Sequence, residues 1–496
     1  HLDGPPASGT TVKNNGVEPL IERQLDTSSF DLVTPQESSS RRYSLETRSD
    51  LLLSAAHLKV IFDDPRLFKS FKDFLLAVRP KSVPVLVSYL NACMALGATG
   101  SANSTTKSLA HLEGLEISQE PIPELAGGSV GEKAQSAFDI LVQEDLPAYI
   151  THTWVRIVSK TIELQRTGGL PQHLTVLSEA LAEGFYLTDP SKPDNPVILA
   201  SQGESPPCPP YDTNYAIGQN CRFLQGVPRN SSSARRIREQ LEAGVERSEI
   251  ILNYRRDRTP FMNLLTIAPL FDSGGIIHYY LGVLVDVSDL VEHCAGLESF
   301  ERLVSQNQDG SSSDSSKTIE SEEFPKDGFR ELIEIATSKE METVRKLDSA
   351  MYYRERRKWA THKEAGPDKQ IDAERHDLHM RRNTPSPPGL WPSSFYEYYL
   401  LVRPHPDLRV LFASPSLRIP RMLQSDFMSR VGGEQSTIDA VLQAFVDGTP
   451  ITTKIRWLTR ANRFGRRRWL HCTPLQGADG TVGIWLVVLF DDKEDD

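Results

Sequence analysis

Residues 220–226 read Asn-Cys-Arg-Phe-Leu-Gln-Gly, a thiol between an amide and a guanidinium with a second amide close behind. A thiol attacks as the thiolate, or with its proton removed in the same step, and this stretch holds no histidine to act as the base. Its neighbours suit recognition instead. The neutral amides of Asn220, Asn253 and Asn263 can donate to and accept from the polar edge of a flat heterocycle, where a charged group would need its own partner. The forked donors of Arg222 suit an anion. A lone cysteine is ordinarily inert packing, so the weight rests on the joint placement of these groups.

The elements that must position them follow from hydrophobic period. Between about 173 and 288 the β-branched and aromatic runs EGFYLTD, NPVILAS, SEIILNYRRD, PFMNLLTIAPLFD and IIHYYLGVLVDVS alternate and are bounded by turn residues, with room for short helices between the second and third runs. This predicts an antiparallel five-stranded sheet in an α+β domain. Upstream, Leu67, Phe68, Phe71, Phe74, Leu75 and Val78 recur at three and four, as does the run around Val85, Leu86, Tyr89 and Leu90, which predicts an all-helical domain. Downstream, YYLLVRP, RVLFASPSL, ITTKIRWLTR, RRRWLHCTPLQ and VGIWLVVLFD repeat the strand pattern.

GQNCRFLQG (218–226), with TDPSKPDNPVILAS (188–201) before it and ILNYRRDRTPFMNLL and YYLGVLVD after it, resembles the light-oxygen-voltage (LOV) class of PAS domains. The resemblance implies a flavin between the sheet and the short helices, and a blue-light reaction that joins the Cys221 sulfur to the flavin ring. An excited flavin can itself take the thiol proton, so no adjacent base is needed. The implied cofactor-binding residues are Thr188, Asn195, Asn220, Arg222, Gln225, Arg238, Asn253, Asn263, Leu265 and Leu284. Of these, Gln225 stands where the family has a ring-contacting glutamine, and Arg222 and Arg238 match its phosphate-binding arginines. The short interval between those arginines leaves no room for the loop of FAD-binding members, so the expected cofactor is FMN. No metal is expected. Two departures stand out: ESPPCPP (204–210) replaces a helix-forming stretch, and Leu284 replaces the glutamine that usually responds to flavin protonation. Leucine has no hydrogen-bonding side-chain atom. A water, or Asn253 and Asn263, is expected to carry that signal instead.

The block at 46–160 resembles a regulator of G-protein signalling (RGS) domain, through RLFKSFKDFLLAVRPKSVPVLVSYLNAC and EKAQSAFDILVQEDLPAYITH. It departs from that family at Lys81, Ser82, Val83 and Pro84, where an asparagine is expected. The segment 344–363 sets seven cations against Asp348 and Glu355, a local charge of about +5 in a chain of net charge −11. Val344, Leu347, Met351, Tyr352 and Trp359 can share an apolar stripe. Basic amphipathic helices with tryptophan lie in membrane interfaces, each Lys or Arg adding about 1 kcal/mol near an anionic leaflet. Arg345, Lys346, Met351, Arg354, Arg356, Arg357, Lys358 and Trp359 are the implied membrane contacts; the alternative is a helix packed on a neighbouring domain. The modular order resembles the fungal RGS–LOV photoreceptors, which implies light-dependent binding of anionic phospholipid.

The expected organisation is therefore multidomain, α and α+β: a disordered tail (1–45), an RGS-like helical domain (46–160), a LOV domain (165–289), its flanking helix (290–305), a linker (306–326), a basic helical region (327–365), a Pro-rich linker (366–392) and a PAS-like domain of unassigned role (393–493). The 496 residues, 33 prolines and Ser-rich stretches fit linked modules. Five scattered cysteines, no long apolar run and a polar start lead us to expect a soluble cytoplasmic protein, recruited to the plasma membrane in blue light. The lack of an initiator methionine leads us to expect further N-terminal sequence. The acidic balance argues against nucleic acid as a partner. The expected output is relocation rather than enzymatic activity. The rival readings are a light-gated GTPase-activating protein for a Gα subunit, and a flavin redox sensor that signals without a cysteine bond.

Overall fold

The structure is a computed structural model that describes residues 44–95, 129–174, 183–202, 213–226, 231–272, 274–309, 396–419, 421–459 and 465–492, with positions 178, 181, 328 and 331. The expected tail, the ESPPCPP stretch, both linkers and every membrane-contact residue from Arg345 to Trp359 lie outside it.

Helices α1 (Ser44–Leu52), α2 (Ala55–Asp63), α3 (Pro65–Val78), α4 (Val83–Ala95), α5 (Val130–Ile140) and α6 (Leu146–Arg166) form the N-terminal block. Local chemistry sets their starts. Asp64 caps α3 by accepting from the Arg66 and Leu67 amides at 2.7 and 3.3 Å, with Pro65 in the first turn. Ser129 and Glu132 close a reciprocal capping box on α5. Phe68, Phe71, Phe74 and Leu75 are buried, as their spacing predicts. A π turn at Leu141–Asp145 separates α5 from α6.

Strands β1 (Glu183–Thr188), β2 (Val197–Ser201), β3 (Arg247–Tyr254), β4 (Pro260–Phe271) and β5 (Ile277–Asp286) make an antiparallel sheet in the order β2-β1-β5-β4-β3. Between β2 and β3 lie single turns at Thr213–Ala216 and Cys221–Leu224, then α7 (Ser231–Ala243). The second sheet contains β6 (Tyr399–Val402), β7 (Val410–Ala413), β8 (Val431–Gly432), β9 (Ile451–Trp457), β10 (Arg466–Gln476) and β11 (Val482–Asp491), with α10 (Gln435–Asp447) before β9. Leaving aside the two-residue β8, its order β7-β6-β11-β10-β9 repeats the topology of the first sheet. The end of β10 pairs with β2, Leu475 with Ser201 and Gln476 with Ala200, so the edge strand of the first sheet continues onto β10 past the end of β9. Sequence alone did not anticipate that junction.

One core runs through all three parts. Phe185, Leu187, Ile250, Leu252, Met262, Leu264, Leu281 and Val283 turn one face of the first sheet toward helices carrying Phe71, Trp154 and Val158, and toward Tyr399, Leu401, Phe412 and Leu486 of the second sheet. Coverage on this face, with a second apolar cluster on the other, adds apolar residues to the alternating pattern of the strands.

The expected flanking helix at 290–305 is corrected. It is two pieces, α8 (Ser288–Glu292) and α9 (Glu298–Asp309), separated by a turn in which Cys294 and Gly296 have φ of 52° and 74°. A side chain at 296 would meet Ile157 at 2.5 Å, so the break lets the N-terminal block approach. That block grips the turn. Arg48 donates to the Glu292 carbonyl at 2.6 Å, the buried Trp154 Nε1 donates to the Ala295 carbonyl at 3.0 Å, and Asp64 pairs with Arg302 at 2.7 Å. His57 Nδ1 donates to the Leu52 carbonyl at 2.7 Å, which leaves Nε2 to accept the Ser299 hydroxyl, also at 2.7 Å. Arg468 on β10 is buried and lies over Tyr398 at 4.2 Å.

Candidate functional site

Successive strand residues point to opposite faces, so the partners of the buried core residues define a second face on the first sheet. It carries Tyr186 and Thr188 on β1, Ile251 and Asn253 on β3, Phe261, Asn263 and Leu265 on β4, and Leu284 on β5. Tyr186, Val197, Ala200, Ala216, Phe223, Leu224, Phe261 and Leu284 form a separate apolar cluster there, with Cys221 and Leu265 packed against it.

Asn220 positions the cysteine. It caps the Cys221–Leu224 turn, its Oδ1 accepting the Arg222 amide at 3.0 Å, while its Nδ2 donates to the Asp194 carbonyl at 2.5 Å. Arg222 also pairs with the Asp194 carboxylate. The turn is thus tied to the β1–β2 loop, where Asp194 and Asn195 have positive φ. Gly226 follows, and a side chain there would enter the Tyr254 ring at 2.2 Å, so glycine is required by close approach. Cys221 is only partly buried by surface area, yet desolvation by the protein atoms around it pushes its thiol up to about 12. At neutral pH it is a protonated, unreactive group.

The polar atoms on this face point to a ligand. Asn263 Nδ2 donates to Asn253 Oδ1 at 2.8 Å. Asn263 Oδ1, Thr188 Oγ1 and Asn195 Oδ1 are buried without a hydrogen-bond partner in the protein. Such orphaned groups are costly unless a bound molecule satisfies them. An apolar cluster, unpartnered oxygens near it and a thiol packed against it suit a flat, polar-edged heterocycle, so the residues present fit a flavin.

Among the expected site residues, the structure brings together Thr188, Asn253, Asn263, Leu265 and Leu284 on one face, with Cys221 packed beside them. Three others are exposed. Gln225 is exposed at the end of the cysteine turn, Arg222 is held by Asp194, and Arg238 is exposed on α7. Sequence reasoning passed over Tyr186 and Phe261. Each lies two residues before an expected contact, Thr188 and Asn263, and this period-two relation could have found them.

A family described as "PAS domain" matches residues 211–289. Phototropin-2 of Oryza sativa subsp. japonica is 36% identical over 121 residues, 24% of this chain and 13% of that protein. Blue-light-activated histidine kinase 1 of Erythrobacter litoralis is 32% identical over 122 residues, 24% of this chain and 33% of that protein. A solved structure described as "Flavin Analogue Sheds Light on Light-Oxygen-Voltage Domain Mechanism" shares 34% identity, covering 26% of this chain and 87% of that one, with a TM-score of 0.21.

Residues 211–289 are thus similar to PAS domains, and the region around them to blue-light receptors of the LOV kind.

The chain spans a third or less of the length of these two curated relatives. The FMN expectation stands, since LOV domains of the phototropin kind bind FMN. The expectation of a non-enzymatic protein is corrected: a histidine kinase carries a similar LOV domain, so this domain does not exclude a catalytic output. Among the described residues no helix is long and apolar enough to cross a membrane.

Proposed function

We propose that this protein is a blue-light photoreceptor that binds FMN on the cluster face of its LOV domain and senses light through Cys221. The observation that carries the reading is the set of buried, unpartnered oxygens on Asn263, Thr188 and Asn195 beside an apolar cluster against which the thiol packs. A flavin bound there supplies the light absorption, a proton acceptor and a ring carbon able to take up sulfur. The protein supplies the rest. Asn220 holds the cysteine turn, the apolar cluster excludes water, and burial keeps the thiol protonated so that nothing happens in darkness. Asn253 and Asn263 sense the protonation of the heterocycle in place of the absent glutamine, because Leu284 has no group to rotate.

The exit from the sheet suits such a signal. Met262, between Phe261 and Asn263, accepts the Val287 amide at 2.8 Å and donates to Ser288 Oγ at 2.9 Å, which bolts β4 to the start of α8. We further propose that light frees the basic segment 344–363 to meet anionic phospholipid, moving the protein from the cytoplasm to the plasma membrane. A lit-to-dark difference of about 3 kcal/mol would shift partitioning over a hundredfold. The experiment is co-sedimentation of the FMN-loaded chain with phosphatidylserine vesicles in darkness and under blue light. Sedimentation only in light supports recruitment, and identical sedimentation in both overturns it. A second reading, light-gated acceleration of GTP hydrolysis on a Gα subunit, is favoured by the direct grip of the helical block on the α8–α9 turn. Single-turnover GTP hydrolysis in light and dark tests it.

A further inference from the structure

We propose that Arg236 is a positioning residue for the phosphate end of the flavin site, and that through it the N-terminal helical block sets how tightly the cofactor is held. The proposal rests on the flavin reading above. Arg236 is 5% exposed, and each of its three nitrogens is engaged. Nε donates to the two Glu249 carboxylate oxygens at 3.0 and 3.2 Å, Nη1 to the Gln143 carbonyl at 2.7 Å, and Nη2 to Ser233 Oγ at 3.0 Å.

Those partners belong to three different elements. Glu249 lies on the cluster face of β3, in register with Leu265 at the edge of the flavin slot. Ser233 shares α7 with Arg236. Gln143 lies in the π turn of the helical block, where one extra residue breaks the i→i+4 pattern. The neighbouring Arg235 reaches the same π turn through Glu144. Arg238, the expected phosphate ligand, sits on the same helix and is exposed. Two consecutive side chains of α7 are therefore anchored to the helical block, and the residue two positions on is left at the surface. The buried fork fixes the pose of α7, and so where Arg238 can meet a phosphate. A lysine would keep the charge but could not hold a carboxylate and a carbonyl in one plane.

The test separates phosphate positioning from general support by comparing FMN with riboflavin, which lacks the phosphate, on the full chain. Arg236→Lys is expected to weaken FMN binding about tenfold, the worth of one charge-assisted contact, with riboflavin binding changed less than about twofold. Parallel weakening of both flavins, or no change in either, overturns the proposal. Failure of the unsubstituted chain to bind either flavin would instead remove the flavin reading itself. Should Arg236→Lys not fold, Glu144→Gln keeps Arg236 but removes the carboxylate that pairs with Arg235 and lies 4.0 Å from Arg236 Nη1. It is expected to lower the FMN-to-riboflavin affinity ratio about two- to threefold at an unchanged melting temperature. An unchanged ratio would overturn the proposal.

Discussion

The two sheets share one strand order and opposite interiors. On the LOV sheet, the face beneath the cysteine turn mixes apolar side chains with Asn253, Asn263 and Thr188 and leaves buried oxygens without partners. In the C-terminal sheet the aromatics Phe427, Phe445, Trp457 and Trp485 pack into a core of their own, with Phe445 stacked on Trp485 at 4.2 Å and on Phe427 at 5.4 Å. Each interior also holds a cysteine, Cys221 in one and Cys472 in the other, and burial pushes both thiols up. Burial and thiol acidity therefore do not separate a sensing cysteine from a packed one. The difference lies in the company: amides and unpartnered oxygens around one, stacked rings around the other.

The largest expected contrast follows from the cysteines. Cys221→Ala should abolish light-induced bleaching of the flavin band, whereas Cys472→Ala should leave it intact; equal effects in an absorption assay would erase the distinction. Next are the interiors themselves. Trp485→Ala removes a fully buried ring from the filled core and should cost about 3–5 kcal/mol in chemical denaturation. Asn263→Ala should cost less, about 1–3 kcal/mol for the donor taken from Asn253 Oδ1, while weakening FMN retention about tenfold through loss of the unpartnered Oδ1.

Acid sharpens the comparison further. His57 joins α2 to α9 and burial lowers it from 6.5 to about 4; His471 lies within the second sheet, bonded to Thr452 and Thr473, and burial lowers it to about 3. Both folded values lie below the unfolded one, so the unfolded chain takes up protons first as pH falls. The stability is whole above about pH 6.5. For His57, about 3 kcal/mol is lost between 6.5 and 4, and for His471 the loss continues to about pH 3. Hydrogen exchange should therefore show the α2–α9 contact and the second sheet weakening in parallel from pH 6.5 to 4, with a further loss at the second sheet alone below pH 4; a further loss at α2–α9 alone would contradict this. Smallest is the effect of pH on the light reaction. With a thiol near 12, the extent of bleaching should be flat from pH 6 to 9, and a step in that range would mean an ionising Cys221.

How much was legible in the sequence depended on whether the information was local. The cysteine motif and the alternating strands lie within short stretches, so motif and period found them, whereas the capping role of Asn220 was not read. The edge pairing of Leu475 and Gln476 with β2 joins residues far apart and leaves no local mark. The break at Cys294–Gly296 was hidden for a related reason. Leu290, Cys294 and Leu297 are all buried, so their spacing imitates one helical face, although the burial comes from a turn held by Arg48 and Trp154. Arg222 was matched to a phosphate by family resemblance, which said nothing of Asp194 in the loop before it.

The most direct measurement is the visible absorption of the purified full-length chain supplied with excess FMN, recorded before and after blue light. The account predicts a bound yellow chromophore whose band near the blue bleaches on illumination and returns in darkness. A protein that stays colourless, or one whose bound flavin keeps its band under strong light, would contradict it.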